Sequence, residues 1–259
     1  MEEPEFVNNS MNPSLTVKSA RNLFLLTIGL VVVIGGIAQF YYKWLGLALT
    51  EILLILTPVL LYIYKRKLSF KNILRLNHKG MTVPVLVAIV LGILVWPVGI
   101  WAQLNLMELF YGKDADLLPS LNKLGEANML YRFIVMGVIA AICEEFLFRG
   151  YIQSAFEKNM SVRNSIVWTA ILFSLYHLDP ATIISLFPLS ILLTWVCWKF
   201  NSIFPSIALH FSNNFLSVFI FSKITFTNLT FFYFLMAVCT LTLIAIVFVI
   251  HKKYNTSNI

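Results

Sequence analysis

Charged residues are scarce in this chain. They make up 12% of its 259 residues, about half of the roughly 25% usual in a soluble domain. So few charges cannot clothe a water-soluble surface. With 59% of the residues apolar and gathered in long runs, lipid is the expected solvent. Cysteine is nearly missing as well. Cys143, Cys197 and Cys239 each lie inside an apolar run, and no CxxC pair occurs. That excludes a disulfide framework and leaves three small buried thiols. No HExxH segment is present, which removes one familiar zinc-peptidase signature. A flat basic face is also lacking. The net charge is +7, but the lysines and arginines cluster between apolar runs. Membrane lipid is therefore an expected partner and nucleic acid is not. The first 22 residues are polar and hold no short apolar core with a small-residue cleavage site, so no cleaved signal peptide is expected.

What is there is a series of apolar runs of about 17–25 residues, the length that crosses a bilayer. Eight spans are expected, at about Leu23–Tyr41, Leu45–Tyr64, Val83–Leu104, Tyr131–Phe156, Ser165–Leu178, Thr182–Phe200, Ile203–Ile224 and Phe231–Ile250. Pro97 is a candidate kink in the third, and Asp179-Pro180 divides the fifth from the sixth. The fold class is therefore all-α, a polytopic bundle of about eight transmembrane helices. It forms a single domain over residues 1–259, with 1–22 as a polar tail. With the N-terminus inside, fourteen lysines and arginines fall in cytoplasmic connections and five in outer ones, so both termini are expected in the cytoplasm. In the connection Lys65–Lys79, Lys67, Lys71, Arg75 and Lys79 recur every fourth residue, with Phe70, Ile73 and Leu74 on another face. Either a short interfacial helix on anionic lipid or a solvated basic loop fits.

Apart from Arg132, Lys199 and Lys223 at the run ends, which are counted with the connections, six ionisable residues lie inside the runs: Glu51, Glu144, Glu145, Arg149, His177 and His210. A charge at mid-bilayer costs roughly 2.5–3.5 kcal/mol even on insertion scales, so such residues pair, line water or do chemistry. Glu145 and Arg149 have the spacing and order of a helical ion pair, whereas Glu144 has no partner on its own helix. If the fourth and fifth spans form a hairpin turning near Met160-Ser161, residues at equal depth have numbers summing to about 321. Glu144 and His177 meet that condition, provided both lie in continuous helix. His210 and Asn214 share one face of the seventh span, with Asn213 turned away. Helix-to-helix hydrogen bonding and an ion or proton path are alternative readings of the set. Glu51, near the end of its span without a visible partner, reads as structural, and Cys143 has no histidine at helical spacing to activate it.

These residues resemble the three motifs of the CPBP family, the CAAX-protease and bacteriocin-processing family also called Abi. Its pattern is Glu-Glu-x-x-x-Arg, Phe-x-x-x-His and His-x-x-x-Asn. Here it reads Glu144-Glu145…Arg149, Phe173…His177 and His210…Asn214, complete and in order. The resemblance covers about residues 130–219. It implies an eight-helix intramembrane endopeptidase acting on membrane-associated proteins or peptides, in what is expected to be a bacterial cytoplasmic membrane. Glu144 and His177 would hold the attacking water, His210 and Asn214 would donate to the oxyanion, and Glu145–Arg149 would fix the helix or position substrate. The family was long described as metalloproteases, so zinc on Glu144, His177 and His210 is the rival reading. The metal-free mechanism is favoured, because Asn214 is a poor zinc ligand and a good oxyanion donor. A catalytically silent immunity, scaffold or sensor protein is the non-enzyme alternative.

Overall fold

The structure is a computed structural model that describes residues 15–112, 128–219 and 229–255. All regular structure among these residues is helical. Helix α1 covers Val17–Tyr41 and α2 Lys43–Lys65. A single turn, α3, covers Phe70–Ile73, and α4 covers Thr82–Tyr111, continuing through Pro97. Helix α5 runs over residues 129–159, followed by α6 (Val162–Leu175), α7 (Pro180–Phe200), α8 (Ile203–Phe219) and α9 (Leu229–Asn255). The chain is a polytopic helical membrane protein. Five helices (α1, α2, α4, α7 and α9) are long and apolar enough to span a bilayer. The other three expected spans differ in kind. Helix α5 is long but carries Arg132, Glu144, Glu145 and Arg149, while α6 and α8 have 14 and 17 residues. The expected end of the seventh span, Ile224, lies outside the described residues. The first helix begins earlier than expected, at Val17, because Thr16 and Ser19 form a reciprocal capping box.

Helix ends elsewhere follow local chemistry. Ser161 caps α6 just past the break at Met160, so the α5–α6 hairpin turns where expected. Asp179 caps α7 through Thr182 N at 2.7 Å, with Pro180 in the first turn, where a missing N–H costs nothing. The Tyr111 hydroxyl at the end of α4 also donates to Asp179. Slight burial opposes ionisation, but these hydrogen bonds outweigh it and hold the Asp179 carboxyl below its ordinary range.

The centre of the bundle is α4 against α7 and α8, with α5 enclosed by α1, α2, α6 and α8. Leu147, Phe148, Tyr151 and Ile152 of α5 are fully buried. Large apolar side chains such as Phe40, Leu241 and Phe248 face outward, as lipid-facing surfaces require. Cys143 and Cys197 are buried, Cys239 is half-buried, and all three are free thiols.

The α4–α8 contact depends on Gly92. A Cβ there would overlap the Leu209 carbonyl oxygen and the Ser212 hydroxyl, and that hydroxyl donates to Ile89 O at 3.1 Å. A backbone oxygen cannot swing aside, so the helices must separate. Gly92→Ala is expected to cost about 1–3 kcal/mol by overpacking, read as a lower unfolding temperature in detergent. Since α8 carries His210 and Asn214, cleavage activity should fall too.

The basic connection is not one continuous helix, so the first of its two expected forms does not occur. Lys67 and Arg75 adopt left-handed φ of 53° and 50°, a conformation that ends a helix turn, so only Phe70–Ile73 is helical. Arg75 is turned inward. It forms an ion pair with Glu157 and donates from Nε to Ser154 Oγ at 3.2 Å. Ile73 and Leu74 are buried, and Leu74 packs where Gly150 has no side chain. The segment is thus a strap docked on α5.

Candidate active site

Burial of the two adjacent glutamates has opposite consequences, because they point in different directions from α5. Glu145 is fully buried and saturated. Arg149 Nη1 donates to its Oε1 at 2.8 Å, His210 Nδ1 lies 2.9 Å from the same oxygen, and Ser206 Oγ donates to Oε2. Arg149, also fully buried, donates from Nη2 to Ser190 Oγ at 3.0 Å and Ser190 O at 3.3 Å. Its guanidinium lies 4.2 Å from the Phe173 ring centroid, a cation–π distance. A buried pair survives in a low dielectric only when its remaining polar atoms are satisfied, and these contacts largely do so, though Arg149 Nε has no partner.

Glu144 is not saturated. Its Oε2 is buried without a hydrogen-bond partner, and the Glu144 residue lines a cavity of about 630 Å³. His177, His210, Asn213 and Asn214 line the same cavity. His210 Nε2 lies 3.9 Å from Glu144 Oε2. The Glu145 carboxylate accepts from His210 Nδ1, which assigns that proton and leaves Nε2 on the Glu144 side. His177 Nδ1 lies 3.0 Å from Phe173 O. A carbonyl can only accept, so Nδ1 carries that proton and Nε2 keeps its lone pair. Asn214 Nδ2 donates to Met136 O at 2.9 Å, which fixes the amide and leaves a second N–H.

Of the expected site residues, Glu144, His177, His210 and Asn214 therefore share one cavity, with Glu145 and Arg149 packed behind it. The depth argument is corrected in detail: α6 ends at Leu175 and His177 stands in the following turn, while α5 contains π-turns on both sides of Glu144. Glu144 thus meets the cavity from a continuous helix, and His177 from the turn that follows one. Ser190 and Ser206 escaped the sequence reading, since a serine in an apolar helix carries no distinguishing signal. Asn213, turned away on a helical wheel, also reaches the cavity wall. Glu51 is likewise part of the wall, buried with Oε2 unpartnered. Among the described residues no group of three His, Cys, Asp or Glu side chains is placed to hold a metal ion.

Fold and site together define a membrane-embedded bundle that encloses a polar cavity walled by carboxyl, imidazole and amide groups. Residues 126–216 match the family model described as type II CAAX prenyl endopeptidase Rce1-like, and this segment is a domain of that family. The match contains all three motifs and coincides with α5 to α8. No curated protein and no solved structure is similar enough to count as a match. Membership of this domain in a peptidase family suggests an intramembrane protease with a protein or peptide substrate.

Proposed function

We propose that the chain is an intramembrane endopeptidase in which Glu144 activates water for attack on a peptide bond. The observation that carries this reading is that Glu144, whose Oε2 is buried without a hydrogen-bond partner, lines one cavity together with His177 and His210. A buried carboxyl oxygen without a partner costs stability, and an active site is where such a cost is retained. A water between Glu144 and His177 donates one hydrogen to the carboxylate and one to His177 Nε2, leaving an oxygen lone pair for the scissile carbonyl. As the C–O bond forms, Glu144 takes the water proton. The tetrahedral oxygen accepts from Asn214 Nδ2 and from an N–H at His210 Nε2. Collapse breaks the C–N bond, and Glu144 returns the proton to the leaving amine. No step passes through a metal.

The eight-span count, the cytoplasmic termini and a bacterial cytoplasmic location belong to this proposal. So does the substrate class of membrane-associated proteins or peptides. The test is a cleavage assay on purified protein, with candidate substrates taken from comparative peptidomics of cells carrying the intact chain or Glu144→Ala. Loss of turnover in Glu144→Ala is expected, and unchanged turnover would refute the proposal. Asn214→Ala should slow turnover by about 10²–10³ if it serves the oxyanion, whereas a change below threefold would make it a packing residue held on Met136.

A further inference from the structure

One charged side chain in the cavity wall has no counterpart among the described residues. Arg132, near the start of α5, is 8% exposed and lines the cavity that Glu144, His177 and His210 share. No hydrogen bond or ion pair joins its guanidinium to any described residue, and its Nε is buried without a partner. The two cavity acids do not neutralise it. Glu144 lies twelve residues further along α5, roughly 18 Å at ~1.5 Å per residue. Residues Thr50–Leu56 of α2, which include Glu51, pack against Ala140–Glu145, and no ion pair joins Glu51 to Arg132. The cavity is therefore polarised, with carboxyl groups at one level and a lone cation at the other.

A permanently charged guanidinium, nine-tenths buried and unpaired, is costly to keep. Its planar fork matches a carboxylate in two parallel hydrogen bonds. We propose that Arg132 is the carboxylate-binding site for the peptide substrate and sets the direction in which the peptide lies across Glu144. This deepens the peptidase reading and rests on it. A terminal carboxylate is the anion that every unmodified peptide carries. An extended strand advances ~3.3 Å per residue, so the Arg132-to-Glu144 interval corresponds to no more than about five residues between the anchored carboxylate and the cleaved bond. An acidic side chain at that distance offers the same chemistry from a second source. A lipid phosphate is disfavoured because Arg132 opens into the cavity that holds the acids.

The experiment uses the full-length Glu144→Gln protein in nanodiscs, so that binding is read without turnover. The probes are matched apolar hexapeptides ending in a free acid or a carboxamide, plus carboxamides with one aspartate placed along the chain. Free-acid peptides should bind about 10–100-fold more tightly than their amides, the range for hydrogen bonds to a charged group. Arg132→Gln should erase that ratio, and Arg132→Lys should keep part of it. Restoration of amide binding by an aspartate would assign the site to a side-chain carboxylate. Equal binding of acid and amide, no binding of any acid peptide, or an unchanged ratio in Arg132→Gln would each overturn the proposal. Loss of co-purified phospholipid from Arg132→Gln with an unchanged acid-to-amide ratio would overturn it in favour of lipid. The peptidase reading is judged separately, from wild-type cleavage, so either can fail alone. Removal of an unpaired buried charge should leave the melting temperature unchanged or raised, and if Arg132→Gln does not fold, Arg132→Lys still reads the ratio.

Discussion

Glu144→Gln is expected to lower turnover by about 10²–10⁴, the usual contribution of a positioned general base, while leaving the protein as stable as before or slightly more so. The amide keeps the shape of the carboxyl and cannot take a proton from water. The native Oε2 accepts no hydrogen bond, so replacing the acid forfeits only its 3.9 Å approach to His210 Nε2. Measured in parallel, kcat should collapse and the unfolding temperature in detergent should not fall. A variant that loses both would place Glu144 in the framework of the bundle and end its assignment as the base.

The adjacent position should behave in the opposite sense. Arg149→Met is expected to destabilise the fold by about 3–5 kcal/mol, the cost of leaving one member of a buried ion pair without its partner. Arg149 is the hub of this region: it holds Glu145, Ser190 and the face of Phe173. Methionine fills similar space but strands the Glu145 carboxylate, which then depends on Ser206 and His210 alone. The double variant Glu145→Gln with Arg149→Met should recover much of the loss, because neither charge is then left unpaired. Recovery of stability without recovery of turnover would separate the framework role of the pair from its bracing of His210. If Arg149→Met alone melts within a degree of the wild type, the pair contributes nothing net.

The contrast between neighbouring glutamates was only half legible from the sequence. The i to i+4 spacing of Glu145 and Arg149 named their pairing, and the absence of a same-helix partner singled out Glu144. The serines that complete the network could not be read, because their contacts come from α7 and α8 and their side chains are too small to mark an apolar helix. His177 was correctly grouped with Glu144 around one cavity for a reason that needed correcting, since the turn after α6 rather than helical depth brings it there. Arg75 shows the reverse failure. A four-residue basic repeat looks the same whether the backbone is helical or not, and two left-handed residues turn that stripe into a strap with an inward ion pair. Helix positions were easier, because long apolar runs have few alternatives in lipid.

Helix α5 winds as a π-helix over Phe133–Ile139 and again over Phe146–Ile152. Each such loosened coil accommodates one residue more than ordinary winding would, so a single-residue deletion there can be absorbed by tightening, while the flanking side chains keep their bearings. The same deletion in the tightly wound Ala140–Glu145 stretch between them has no slack to take up. It would swing everything beyond it by about a quarter of a revolution, carrying the acid away from the hollow it lines. Length variation in this helix is thus tolerable over Phe133–Ile139 and intolerable at the glutamate pair and across the spacing that joins Glu145 to Arg149.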